Sequence, residues 1–257
     1  MSISISATND IIFLKNNKAI ITINDHIKHP LYWWPKTLLT YEIDSENKIP
    51  KNELILTNQS THEQVPIQIT NIKPNQSGGE KAFLHFISDL PSGKKYSFLL
   101  EKGTPQKKEN IIIQKKDKYY HITTNKFSIL IPSSQSGEKI SGPISSISKN
   151  NKIWFGKSYF NTNYQKEIKL ETKVTASGPL FVEFELHYTF PLGEKYTVLI
   201  KCIQDYDFIE IKEDMKNFSN MDKYAWSIEW SNFSPTHRQA PNHPYGQPNE
   251  NSSGFKR

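Results

Sequence analysis

The chain has 257 residues, of which 36% are hydrophobic and 12% aromatic, with 32 Lys and Arg against 26 Asp and Glu. That length can bury roughly 70% or more of the unfolded surface, so a core forms without staples, and a single cysteine excludes an internal disulfide. No apolar run reaches the ~20 residues of a membrane span, and the start "MSISISATNDIIFLKNNK" lacks the basic region and long apolar stretch of a secretory signal, so the expectation is a cytoplasmic protein with no membrane partner.

Apolar repeats at helical spacing are scarce, and the stretch from Phe160 to Lys173 reads more readily as loop and strand. Aromatics with abundant Ile, Thr and Val suit pleated, half-buried surfaces. The expected class is all-β: a small β-sandwich or barrel over 1–108, followed by a large antiparallel sandwich or supersandwich over 109–257. In the first unit strands are expected at "AIITI" (Ala19–Ile23), "ELILTN" (Glu53–Asn58), "VPIQITNI" (Val65–Ile72), "KAFLHFIS" (Lys81–Ser88) and "KYSFLLEKG" (Lys95–Gly103). Ahead of most of these, "PLYWWPKTLLTY" sets Trp33 beside Trp34. Neighbours on a strand point to opposite faces, so one indole should be near the surface. It then either packs an interface or offers a flat platform on which a sugar ring can stack.

"SDLPSGKKYSF" (Ser88–Phe98) is a turn, with Pro91 setting φ and Gly93 free to take positive φ. The polar run "TPQKKEN" (Thr104–Asn110) marks the boundary between units. "KKENIIIQKKDK" (Lys107–Lys118) is the densest basic run; it reads as a solvated hairpin whose lysines guard an edge rather than a polyanion contact, and no nucleic-acid partner is expected.

The second unit opens with that hairpin and continues into long alternating strands. Leu180, Val182, Phe184 and Leu186 should share a buried face, as should Tyr196, Val198, Ile200 and Cys202. "DFIEIKEDMKN" alternates Phe208, Glu210 and Lys212 against Ile209, Ile211 and Glu213, which implies another strand with one buried face. "YAWSIEWSNF" (Tyr224–Phe233) closes the set.

Histidines at 26, 29, 62, 85, 121, 187, 237 and 243 lack the spacing of a zinc site. His26 and His29 flank a turn ending at Pro30, and His85 inside a strand is read as a packed histidine. No Gly-rich phosphate loop, nucleophile elbow or Cys–His arrangement occurs, so no metal or cofactor is expected. Cys202 in an apolar strand reads as an inert buried thiol. Glu183 with Glu185, and Glu210 with Asp214, could face a cleft, and alternate strand residues such as Glu183 and Glu185 lie roughly 7 Å apart, loosely the spacing of glycosidase carboxylates, but an outward acidic row has the same pattern and is preferred.

The last stretch, Asn232–Arg257, carries His237, Arg238, His243 and Tyr245 among prolines 235, 241, 244 and 248. With almost no aliphatic residues it should form neither strand nor helix. Prolines would hold these side chains at low entropic cost, where a base, an acid and a cation for a uronate carboxylate could serve a β-eliminating lyase. The abrupt end suggests the front part of something larger.

The run Ser177–Asn217 resembles the central β-sandwich of multidomain carbohydrate-active enzymes, the exo-acting rhamnogalacturonan lyase-like proteins in particular. The shared shape is Gly178-Pro179 before a long strand, a polar turn, a second long strand, an acidic strand and Asn217 after it. The resemblance implies the β portion of a polysaccharide lyase or glycosidase, with a downstream α/α-toroid domain and a polysaccharide or oligosaccharide as partner. On that reading His237, Arg238, His243, Tyr245, Trp33 and Trp34 contact substrate, while the catalytic residues stay unassigned. The alternatives are a non-catalytic carbohydrate-binding module and a structural β protein without ligand.

Overall fold

The computed structural model describes residues 11–31, 33–106, 111–149, 154–162, 167–218, 224–229, 237–238 and 247–248, and these are all-β with no helix. By its contacts the chain divides into two compact units: Met1–Ile111 with Ala176–Val182, and Ile112–Thr175 with Glu183–Arg257. The polar run 104–110 precedes the first break, but nothing in the sequence marks 176–182 as part of the first unit.

The first unit is a sandwich of two four-stranded sheets. One runs in the order β1 (Ile12–Leu14), β3 (Trp34–Ser45), β7 (Glu80–Leu90), β6 (Ile67–Pro74); the other runs β2 (Ala19–Asn24), β8 (Lys95–Lys102), β4 (Leu54–Asn58), β5 (Gln64–Val65). All pairs are antiparallel except β1 with β3. Alternation puts Ile43, Leu84, Phe86 and Ile69 of one sheet against Ile21, Leu54, Leu56, Phe98 and Leu100 of the other, all at most 3% exposed. Phe86 and Phe98 meet across the core at 5.1 Å between ring centres, within the range where tilted rings attract.

Turn chemistry sets the register. Asn16 and Asn17 both take left-handed φ, 54° and 58°, in the tight turn between β1 of one sheet and β2 of the other, closed by reciprocal Lys15–Lys18 backbone bonds. That is the conformation in which asparagine is tolerated best after glycine. Four of the five strands expected in this unit form, while Val65–Ile72 splits at Pro66 between β5 and β6, which lie in different sheets. Strand β3, twelve residues long, was expected only at the Trp pair in its first part; its run to Ser45 was not among the expected strands. The structure absorbs Pro35 in a register shift between Trp34 and Thr37, where a bulge frees a ladder position.

The second unit holds two five-stranded sheets. One runs in the order β14 (Trp154–Phe155), β13 (Ser146–Ser148), β11 (Ser128–Pro132), β10 (Tyr119–Thr123), β9 (Ile112–Lys116); the other runs β12 (Gln135–Gly137), β16 (Ile168–Ser177), β17 (Phe181–Thr189), β18 (Lys195–Ile203), β19 (Ile209–Lys216). Ile122, Ile129 and Ile131 face Phe184, Leu186, Val198 and Ile200, all fully buried. Tyr120 touches Phe184 at 5.2 Å, and Thr172 Oγ1 donates to the Pro132 carbonyl at 2.9 Å. The basic hairpin forms over the described part of the run, with Asp117 at φ 50° in a two-residue turn and Lys115 and Lys116 on the exposed edge strand β9, while residues 107–110 lie outside the described residues.

Two expectations fail. Strand β19 was to bury one face, yet Ile211 is 37% and Met215 50% exposed. Among the described residues it is the sheet's edge strand, and nothing seals its inward side. The segment containing Trp226 was to close the large sheet. Instead β20 (Tyr224–Glu229) pairs with β15 (Lys157–Thr162) as a separate two-stranded sheet, and the Trp226 indole takes the space over Gly142, where a Cβ would sit 2.3 Å from its nitrogen. No helix long and apolar enough to cross a membrane occurs among the described residues.

Candidate functional site

Asp25, immediately after β2, organises the first candidate site. Its side chain is 3% exposed and accepts backbone N–H bonds from Ile27 at 3.0 Å, Lys28 at 3.1 Å and Gly93 at 2.7 Å, as well as the Trp34 indole N–H. The Gly93 bond, with help from the other donors, holds the carboxyl below its ordinary range against the opposing effect of burial. Gly93 takes φ +68°, a conformation glycine adopts without steric cost. Asp25 N–H donates to the Lys94 carbonyl at 3.1 Å and Ser92 Oγ to the His29 carbonyl at 2.6 Å. The segment Asp25–His29 and turn 91–94 are therefore stitched together from both sides.

What this base supports is apolar and wet. Ile27 is 60%, Leu31 83% and Trp33 62% exposed, with His26, Lys28 and His29 exposed around them. The tryptophan pair splits: Trp34 lies half-buried at the start of β3 with its N–H taken by Asp25, and Trp33, just ahead of the strand, faces solvent. His29 Nδ1 accepts the Leu31 N–H at 3.2 Å. With the Asp25 oxygens and this nitrogen occupied by backbone donors, the Asp25–His26–His29 group is a turn, and no three-residue metal cluster occurs among the described residues.

A second concavity of about 640 Å³ lies beside β4–β6 and is lined by Lys51, Gln64, Pro66, Gln68, Gly178 and Pro179 among others. Its glutamines are already engaged. Gln68, 4% exposed, accepts from the Leu180 and Phe181 amides at 3.1 and 3.0 Å and donates to the Phe181 carbonyl at 3.1 Å. One side chain thus imitates a strand neighbour for the segment 176–182. Gln64 receives the Gln106 N–H at 3.0 Å and donates to the Thr104 carbonyl at 3.4 Å. Beside Gln68, His85 is 6% exposed, bonded by Thr40 Oγ1 at Nδ1 (2.9 Å) and Thr70 Oγ1 at Nε2 (2.8 Å), with Phe181 edge-on at 4.9 Å. It is the packed histidine expected. Sequence reading missed the Gln68 clamp, since a glutamine within a strand carries no signal of a partner more than a hundred residues away.

Of the other nominated residues, Glu183 accepts Thr175 Oγ1 at 2.8 Å and has Lys201 Nζ at 3.6 Å, and Glu185 has His187 Nε2 at 3.4 Å. They form the outward acidic row preferred over a carboxylate pair for catalysis. Cys202 is fully buried, and burial pushes its thiol up to about 12, which leaves almost no thiolate near neutral pH. The backbone of His237–Arg238 pairs antiparallel with Gln247–Pro248, so the expectation of no strand in the final run fails at these four residues: a two-residue ladder needs few backbone donors, and Pro248, which has none, sits at its end. His243 and Tyr245 lie outside the described residues, as do the side chains of His237 and Arg238.

Comparison with models of protein families gives no match to this chain, and comparison with curated proteins gives none.

Proposed function

We propose that this chain is a carbohydrate-binding β protein in which Trp33 forms the platform that stacks on a sugar ring. The observation that carries the reading is an indole 62% exposed on a loop whose base is held by the four donors to Asp25. Leaving a tryptophan in water forgoes burial of a large apolar surface. Presenting it from a pre-ordered loop lowers the entropy lost on binding. Sugars offer flat C–H faces to such a ring and hydroxyls to polar groups at its rim, here His26 and His29. Binding is preferred to bond cleavage because the carboxylates with glycosidase-like spacing on β17 are engaged with Lys201, Thr175 and His187. The degrading activity implied by the resemblance rests on that resemblance.

Native gel electrophoresis through soluble polysaccharides tests the reading, with a uronate-bearing polymer and a neutral glucan run in parallel. Retardation of the wild-type chain is expected in at least one. Trp33→Ala should weaken it roughly two- to tenfold, the contribution of a stacked aromatic, without lowering Tm. Absence of retardation in both polymers, or retardation indifferent to Trp33→Ala, would remove the proposal.

A further inference from the structure

Strand β19 ends its sheet among the described residues and is bonded along one side to β18. An edge strand presents a row of backbone donors and acceptors to any chain that can match it, and proteins commonly blunt such edges with like charge. Strand β9, at the edge of the other sheet, follows that rule: Lys115 and Lys116 are exposed and the strand carries no acid with which a second copy could pair. Strand β19 does not. Its outward residues are Glu210, Lys212, Asp214 and Lys216, all exposed, and the signs alternate. Its inward residues are Ile209, Ile211, Glu213 and Met215, opposite Cys202, Ile200, Val198 and Tyr196 of β18.

We propose that two copies of this chain associate by antiparallel pairing of β19 with itself, centred on Glu213. A twofold axis perpendicular to the sheet keeps both outward faces on the same side, and this requires that the axis pass through a residue rather than between two. Centring on Lys212 sets Glu210 opposite Asp214 of the second copy, like against like. Centring on Ile211 shortens the overlap to Ile209–Glu213. Centring on Glu213 pairs Glu210 with Lys216 and Lys212 with Asp214 in both directions, and on the inward face covers Ile211 with Met215 of the second copy. Cross-strand pairs of opposite charge stabilise a ladder and like pairs oppose it. The exposed Ile211 and Met215 then gain cover that the single copy does not provide. The one unfavourable pair is Glu213 with its own copy, and each of these carboxylates already accepts the Tyr196 hydroxyl.

Sedimentation equilibrium of the full chain reads this directly. At low salt the wild type should run as a dimer that dissociates on dilution and more readily at high salt. Lys212→Glu sets acid against acid at both mirrored positions and should weaken the dimer about tenfold or more. Adding Asp214→Lys to that variant recreates opposite pairs in the same register and should restore it. Glu213→Gln, which removes the like pair while leaving an acceptor for Tyr196, should tighten it. Far-UV circular dichroism checks that the fold is kept in each. A wild type that stays monomeric at the highest soluble concentration overturns the proposal. So does a dimer indifferent to Lys212→Glu, or a double variant that does not recover.

Discussion

Asp25 shows how much a single carboxylate can organise. It serves two loops at once, and with its folded-state acidity raised by the Gly93 amide its contribution has a definite pH dependence. A carboxyl whose pKa is lowered by folding stabilises the fold above its ordinary value, near 4, and that stability disappears as pH falls through the folded value. Amide exchange of Ile27, Lys28 and Gly93 should therefore be slow from neutral pH down to about 4 and speed up below it. In Asp25→Asn, with no charge to lose, that acid step should vanish, and its persistence would mean another group holds the loop. Sequence could mark "DHIKHP" as a turn, because Asp favours its own downstream amides. It could not reveal the Gly93 amide and Trp34 indole as further donors, since the first depends on a turn 68 residues away. Trp33 and Trp34 were expected to split as strand neighbours, but Trp33 precedes the strand and is exposed from the loop. Which of the two faces water was decided by Asp25 taking the Trp34 N–H.

At the level of elements, period-two alternation located most strands correctly because half-burial in an antiparallel sandwich stamps that pattern on the sequence. It failed where alternation did not mean burial. In β19 the pattern Ile209, Ile211, Met215 is intact, but an edge strand is covered from one side only. The segment 176–182 shows a different kind of hidden constraint. A Cβ on Gly178 would lie 2.5 Å from the Gln68 side-chain carbonyl carbon, so Gly178→Ala must push Gln68 away from the Leu180 and Phe181 amides. Overpacking of this kind costs about 1–3 kcal/mol, and a buried amide left without a partner adds on the order of 1–3 kcal/mol. Urea denaturation should accordingly show Gly178→Ala destabilised by roughly 2–6 kcal/mol. An unchanged midpoint would show that Gln68 can yield without losing its bonds. Gly178 thus has a local reason to be glycine, namely the close approach of Gln68.

For the molecule as a whole, each unit has its own buried cluster, and Ala176–Val182 is the stretch in which sequence order and spatial membership part company. Leu56, fully buried in the first unit's core, provides the test. Leu56→Ala should cost about 2–5 kcal/mol. If 176–182 is held by the first unit, native-state exchange at Leu180 and Phe181 should accelerate together with that at Leu84. Protection at Leu180 and Phe181 that ignores the substitution would assign the segment to the second unit. The all-β class, the turns at Gly93 and Asp117, the inert thiol and the packed His85 were all determined by the amino-acid sequence, because they follow from local periodicity, φ preference and residue chemistry. The pairing of β1 with β3, the capture of 176–182 by Gln68, the exposure of Trp33 above Asp25 and the open side of β19 were decided only in three dimensions. Each depends on which distant strand lies alongside, and a chain's local pattern carries no record of its neighbour across the sheet.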